Sequence, residues 1–361
     1  MKKFDLYIIK KYFTTFILSM FLLILVVIVF DLSEKLDKFL VDNITLKEIL
    51  FGYYANFIPY FFNLFLYLFV FISVIFFSSK LAQNSEFIAV SSAGISFYRV
   101  MRPYIYCAVV LAFVAFLLSN FVIPKSNVKL TDFENKYLRK SNKYSTYAYD
   151  IHVQVGENEY IFIKDYTAKK NEGTNFTYEK LNFQDGLTYK LNARSIKLDT
   201  INNVWIASDY VERQIFDDNE ILSEGDTKEL DINLQPKDLV FFSYDIKNMN
   251  MRQLNEFIAD EKKKGVRSIV EYEVEKHLRI SNSFATILLS ILGFSLSYRK
   301  KRSGLGWNLG FGVTLTFLYV LLMQVTKVFA INKSLDPMLA AWVPNIFFTI
   351  VTIIVVKMTP K

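Results

Sequence analysis

A chain of 361 residues that is 52% hydrophobic and 17% aromatic, with 35 Phe and 22 Tyr, is too apolar for an ordinary soluble domain. Its net charge of +7 would suit nucleic acid, but the lysines and arginines gather at the ends of apolar runs. A single cysteine, Cys107, excludes an internal disulfide.

Six stretches carry no charged residue: 12–30, 49–79, 103–124, 280–298, 303–326 and 337–356. Each has at least 19 residues, and a helix needs about 20 to cross the hydrocarbon layer. The predicted architecture is membrane α-helical, with six spans arranged as three plus three. The first run is longer than the apolar core of a signal peptide. It ends in FDLSEKLDKF rather than a small-residue cleavage site, so it is expected to stay as an anchor.

Between the second and third runs lies QNSEFIAVSSAGIS, residues 83–96. Asn84 or Ser85 is placed to cap a helix there, Glu86 suits the positive end of its dipole, and Gly94 is placed to end it. Helical spacing puts Phe87, Val90 and Gly94 near one face, with Ala89 and Ser92 opposite. The outer side is then small enough for a partner to approach closely. An ordinary interfacial turn would leave the same pattern.

Residues 151–242 change period. IHVQV, EYIFIKD, NFTYEKLNF, LTYKLNARSIKLD, NVWIASDYV and EILSE are short aromatic and β-branched runs, separated by turn clusters such as GENE, QDG and DDNE. They predict an antiparallel sandwich or roll. Leu187, Tyr189, Leu191 and Ala193 share one strand face, and Thr188, Lys190 and Asn192 the other. The phase slips at Ile196 and Leu198, which predicts a bulge near Arg194–Ser195. MRQLNEFIADEKKKG then reads as a helix ending at Gly265. The expected domains are 1–124 (three spans and the helix at 84–96), 125–265 (the β domain and its following helix) and 266–361 (three spans).

Lys2, Lys3, Lys10, Lys11, Lys80, Arg99, Arg102, Arg299, Lys300, Lys301, Arg302, Lys357 and Lys361 fall on one side of this arrangement, against only Asp5 and Glu86. That bias predicts cytoplasmic termini, with the β domain on the far side.

Chemistry is sparse. No G-x-x-x-x-G-K-[ST] phosphate loop and no G-x-S-x-G elbow occurs, and His152 and His277 stand apart without an H-E-x-x-H context. A chain that works alone as an enzyme is not expected, nor is a cofactor or a metal. SGLGWNLGFG lacks a lysine, so its glycines suit close helix packing better than a ligand. The charge-free runs hold only neutral polar groups such as Asn56, Asn63 and Gln324, which suit bonds between helices better than ion coupling.

Four pieces in order resemble the LptF/LptG permeases of the lipopolysaccharide exporter. FDLYIIKKYFTTF with FDLSEKLDKF resembles their first span and its exit. SEFIAVSSAGIS resembles their cytoplasmic loop, in Ser85, Glu86, Ala93, Gly94, Ile95 and Ser96, with Phe87 where the family has Leu. EVEKHLRISNSFA and PMLAAWVPN resemble the starts of the fourth and sixth spans.

The resemblance implies a transport subunit whose coupling helix docks in a groove of a separate cytoplasmic ATPase, LptB. Ser85, Glu86, Phe87, Ala89, Val90, Ala93, Gly94 and Ile95 would carry that contact. It further implies an inner-membrane location, a second permease of the same type, and a periplasmic β-jellyroll that passes lipopolysaccharide to an LptC/LptA-like bridge. Leu187, Tyr189 and Leu191 would then face acyl chains. Some members carry a basic residue late in the first span where this chain has Asp31, which leaves Lys35 and Lys38 either to meet lipid phosphates or to be solvated charges at the membrane edge. Two rivals remain: a permease of another lipid or lipoprotein exporter, favoured by a four-span count, and a membrane-anchored assembly or sensor protein.

Overall fold

The computed structural model describes residues 3–41, 44–138, 147–168, 170–182, 186–200, 202, 204–216, 219–232, 234–239, 245–263, 269–299, 304–332 and 334–359. The chain divides into two compact units. One is helical: Met1–Leu138, Lys247–Arg252 and Val270–Lys361. The other holds the strands: Arg139–Ile246 and Gln253–Ile269.

In chain order the helical unit begins with α1 (Lys3–Val41) and a π-helical turn, Glu48–Tyr54, that leads into α2 (Ala55–Gln83). The short α3 (Glu86–Ser92) and α4 (Phe97–Leu117) follow, and a second π-helical turn at Leu118–Val122 joins α4 to α5 (Ile123–Phe133). Two of these helices outrun the charge-free stretches. FDLSEKLDKF continues α1, because Asp31 and Lys35 lie four residues apart and pair at 2.8 Å on one helix face. The third span runs past Pro124 to Leu138, so the first stretch of the helical unit ends there and not at 124. Pro124 follows directly on the π-helical turn Leu118–Val122, inside the continuous span, where a missing N–H interrupts the bonding ladder.

The strand unit holds β1 (Tyr147–Gly156), β2 (Glu159–Thr167), β3 (Glu172–Asn182), β4 (Gly186–Asp199), β5 (Val204–Ile215) and β6 (Glu220–Leu230). α6 (Pro236–Leu239), α7 (Asp245–Asn248) and α8 (Met251–Lys263) follow. Gly265, the expected end of α8, lies outside the described residues. The chain closes with α9 (Ile269–Ser297), α10 (Gly304–Ile331) and α11 (Pro337–Met358). Six helical segments are long and apolar enough to cross a membrane, as expected from the six charge-free runs.

α1, α2 and α4 bury Ile8, Tyr12, Phe16, Val70, Val74 and Tyr104 against one another. Hydrophobic driving force is weak between helices in lipid, so polar links matter there, each worth about 0.6 kcal/mol and rarely above ~2. Tyr12 donates to Ser290 at 3.0 Å, Ser19 and Ser73 share a bond of 2.8 Å, and Asn308 donates to Ser79 at 3.0 Å. Asn63 bonds across to Ser119 at 2.8 Å, but Asn56 turns back to the Gly52 carbonyl of its own helical segment. Of the glycines in SGLGWNLGFG, Gly312 alone meets a neighbour among those described. A Cβ there would lie 2.5 Å from Ile75 Cδ1 on α2, whereas Gly306 and Gly310 face open space.

The sheet is antiparallel, and its strands pair in chain order from β1 to β6. It forms the expected inserted β domain as a sheet built around one core, without Greek-key crossings among the described strands. Ile161, Ile163, Phe176, Leu191, Trp205 and Leu230 share that core with Leu234 and Leu239. Trp205 Nε1 donates to the Leu234 carbonyl at 2.8 Å.

The predicted bulge near Arg194–Ser195 is something else. Register runs unbroken there on both sides of β4, yet the paired rows skip positions 164, 175, 194 and 209 in four adjacent strands. Asn175 and Asp209 take positive φ at these skips, 50° and 51°. In every one of those strands the buried residues change parity across the line: Ile163 then Tyr166, Gly173 then Phe176, Ala193 then Ile196, Ala207 then Glu212. A bulge in one strand would shift its register against its neighbours. Here all the strands kink together, so the phase flips and the register survives.

Candidate functional site

α3 is held from within and open from without. Phe87 is 2% exposed and packs edge-on to Phe294 (5.9 Å between centroids) and against Tyr298 (5.0 Å). Val90 and Ile95 pack on the same cluster, and Ser91 shares a 2.8 Å bond with the Tyr298 hydroxyl. Ile88, Ala89, Ser91, Ser92, Ala93 and Gly94 are exposed. Gly94 therefore leaves the Phe87 face to which helical spacing assigned it.

Its backbone explains why. Gly94 has φ +77°, and its N–H bonds to the Ser91 carbonyl at 2.9 Å while that of Ile95 reaches Val90 at 3.3 Å. These two bonds close the helix as a Schellman motif, with Val90 and Ile95 as the apolar pair that accompanies it. The start differs from expectation. Ser85 occupies the N-cap position in the left-handed region (φ 64°), and its side chain makes no capping bond. The sharp turn out of α2, rather than a cap, sets where α3 begins.

Two polar links tie this turn to α1. Tyr7 donates to Glu86 Oε2 at 3.1 Å. Just beyond α3, Arg99 makes a two-pronged bond to Asp5, 2.8 Å at each oxygen, and Asp5 is 5% exposed. Tyr7, Asp5, Arg99 and the exposed Ile88 were not assigned to the site from sequence; all four lie within a few residues of recognised features, but nothing local in sequence joins 5 to 99.

At the other end of α1, Lys35 is engaged. It bonds to Asp31 and to the Tyr53 hydroxyl, and its Nζ lies 4.8 Å from the Tyr53 ring centre. Lys38, one turn on, is exposed.

In the strand unit, Leu191 is fully buried and Leu187 and Tyr189 are half-buried. The row is not apolar throughout. Leu191 pairs across the sheet with Glu212, which is 6% exposed and bonds to Lys228 and, at 2.9 Å, to Gln214. Burial pushes the Glu212 carboxyl up, but the bonds from Lys228 and Gln214 more than offset this and leave its pKa lowered. Burial, and then the Glu212 charge, raises the Tyr189 hydroxyl.

Six helices long and apolar enough to cross a membrane, with a β unit inserted after the third, define a multi-pass membrane protein rather than a single-anchor one. The chain belongs to the family described as lipopolysaccharide export system permease LptF/LptG, whose sequence model matches residues 6–358. It is thus an inner-membrane permease of the lipopolysaccharide export system. No curated protein matches the chain.

Proposed function

We propose that this chain is the non-catalytic permease subunit that converts ATP hydrolysis by a separate cytoplasmic ATPase dimer into extraction of lipopolysaccharide from the inner membrane. A second permease of the same family completes the transport cavity. The strand unit hands the lipid to a periplasmic bridge towards the outer membrane. The observation that carries this reading is α3: buried anchors on one side, and Ile88, Ala89, Ala93 and Gly94 presented on the other. α1 and α10 support the partner permease, since they are the least covered of the six spans and expose Phe21, Leu25, Phe317 and Val325.

The test is copurification. An exporter subunit brings down an ATPase dimer and a second permease; recovery of the chain alone from gently solubilised membranes overturns the reading.

The charge bias supports an orientation with α3 in the cytoplasm and the sheet in the periplasm. In a Cys107→Ser background, a cysteine at exposed Ser92 is expected to react only from the cytoplasmic side, and one at exposed Thr174 only from outside. Labelling of both from one side defeats the arrangement.

Lipid passage is assigned to the inward face of β4. A photo-crosslinking residue at Tyr189 is expected to capture lipopolysaccharide during ATP turnover, and one at Lys190, paired with Glu179 at 2.8 Å on the other face, to capture none. Because Leu191 and the Glu212–Lys228 pair close the row, capture requires the sheet to part there. Equal capture at both positions, or none at Tyr189 during active export, makes the row a plain core.

A further inference from the structure

The line along which the strand pairing skips crosses the whole sheet. Beyond 164, 175, 194 and 209 it also passes through 150 in β1 and 226 in β6. Lys164, Asn175, Arg194, Asp209 and Asp226 are all exposed along it, and on the inner face the two sides of the line fold towards each other. Two contacts there cross it.

The first is apolar. Ile163 of β2 lies on one side of the line and Gly173 of β3 on the other. A Cβ on Gly173 would come within 2.7 Å of Ile163 Cγ2, so only a glycine lets the two sides approach this closely.

The second is ionic. Lys228 pairs in the sheet with Ala207, five residues along β5 from Glu212. In a flat strand that separation is about 16 Å, more than the two side chains together can span. Yet Lys228 Nζ bonds to Glu212 Oε2 across the line, and it lies 5.6 Å from the Tyr210 ring centre on the same far side. The ion pair therefore exists only while the sheet is bent. Glu212 is buried and Lys228 half-buried, so the attraction is little screened. Because register survives on both sides, the two halves of the sheet can turn about the line with their own ladders intact.

We propose that this line is a hinge and that the Glu212–Lys228 pair is its latch. Latched, the two halves close over the inner row of Leu191 and Ala193; released, they swing apart and open that row. That acyl chains then enter it rests on the transport reading, whereas the hinge and its latch do not.

The test uses the full chain in nanodiscs, in a Cys107→Ser background, with spin labels at exposed Glu157 and Thr200, which lie at opposite ends of the sheet. Glu212→Gln should lengthen the distance between the labels, since the freed Lys228 can turn to water. In unlabelled chains it should raise the thiol reactivity of Ala193→Cys about tenfold or more. Hydrogen exchange of the β3–β4 amides should stay slow, because each half keeps its ladder. Gly173→Ala serves where Glu212→Gln fails to fold, and should lengthen the same distance by wedging, with the ion pair untouched. Glu212→Lys combined with Lys228→Glu rebuilds the pair in reverse and should keep the wild-type distance. An unchanged distance in whichever single variant folds, or a longer one accompanied by fast exchange along β4, overturns the proposal. Recovery of the chain without an ATPase would sink the transport reading and leave these distances as they are.

Discussion

Ile88→Asp is expected to leave the chain folded and membrane-inserted while stripping it of its ATPase. Ile88 is 53% exposed, so the change removes little packing within the chain. It is also the largest apolar side chain on the open face of α3. Losing one well-buried anchor at an interface costs on the order of 2 kcal/mol or more, about thirtyfold in affinity. Gly94→Leu should act by another route. Its Cβ would meet nothing within 4 Å, but its backbone sits at φ +77°, and a side chain there costs about 1–2 kcal/mol. The helix end would shift, and the docking face with it. Copurification from gently solubilised membranes reads both variants, and normal recovery of the ATPase with Ile88→Asp would show that this face is not where it docks.

Arg99→Asp and Asp5→Arg, each alone, should lower ATP-driven export roughly tenfold with the ATPase still bound. The double exchange should restore most of it. Each single change sets two like charges face to face where Asp5 is buried, whereas the exchange rebuilds the pair in reverse. Damage caused by either side chain apart from their pairing would not be repaired by the second change. Full export from either single variant would make the link idle.

The six spans were legible because hydrocarbon imposes one requirement, length without charge, and that requirement is written residue by residue. The six strands were legible for a similar reason, since turn clusters punctuate them. Helix ends were harder. α1 runs on through FDLSEKLDKF because charges spaced four apart stabilise a helix as well as interrupt an apolar run. The phase slip at Ile196 was visible, but its cause was not: a single strand cannot reveal that its neighbours kink at the same line. The α3 site was legible as a segment, while its working division was not. Which side of α3 faces inward depends on Phe294 and Tyr298, some two hundred residues away, and helical spacing alone put Gly94 with the wrong neighbours. Lys35 reads in sequence as either a lipid-phosphate contact or a solvated charge at the membrane edge; only the fold brings Tyr53 to it.

α1 has 39 residues with no proline, no glycine and no π-helical turn, and is roughly 58 Å long at about 1.5 Å per residue. The two helices that flank α3 in the chain are softer: α2 contains Pro59 and starts from a π-helical turn, and α4 contains Pro103 and ends in one. Such irregularities are where helices bend. A displacement imposed on α3 is thus divided unequally by compliance. Along α2 and α4 part of it is absorbed in bending, while Asp5 and Tyr7 pass it to a member with no joint. On the proposed coupling role, a nucleotide-driven push on α3 is expected to travel along α1 with little loss and to disturb first the clasp of Asp31 and Lys35 on Tyr53.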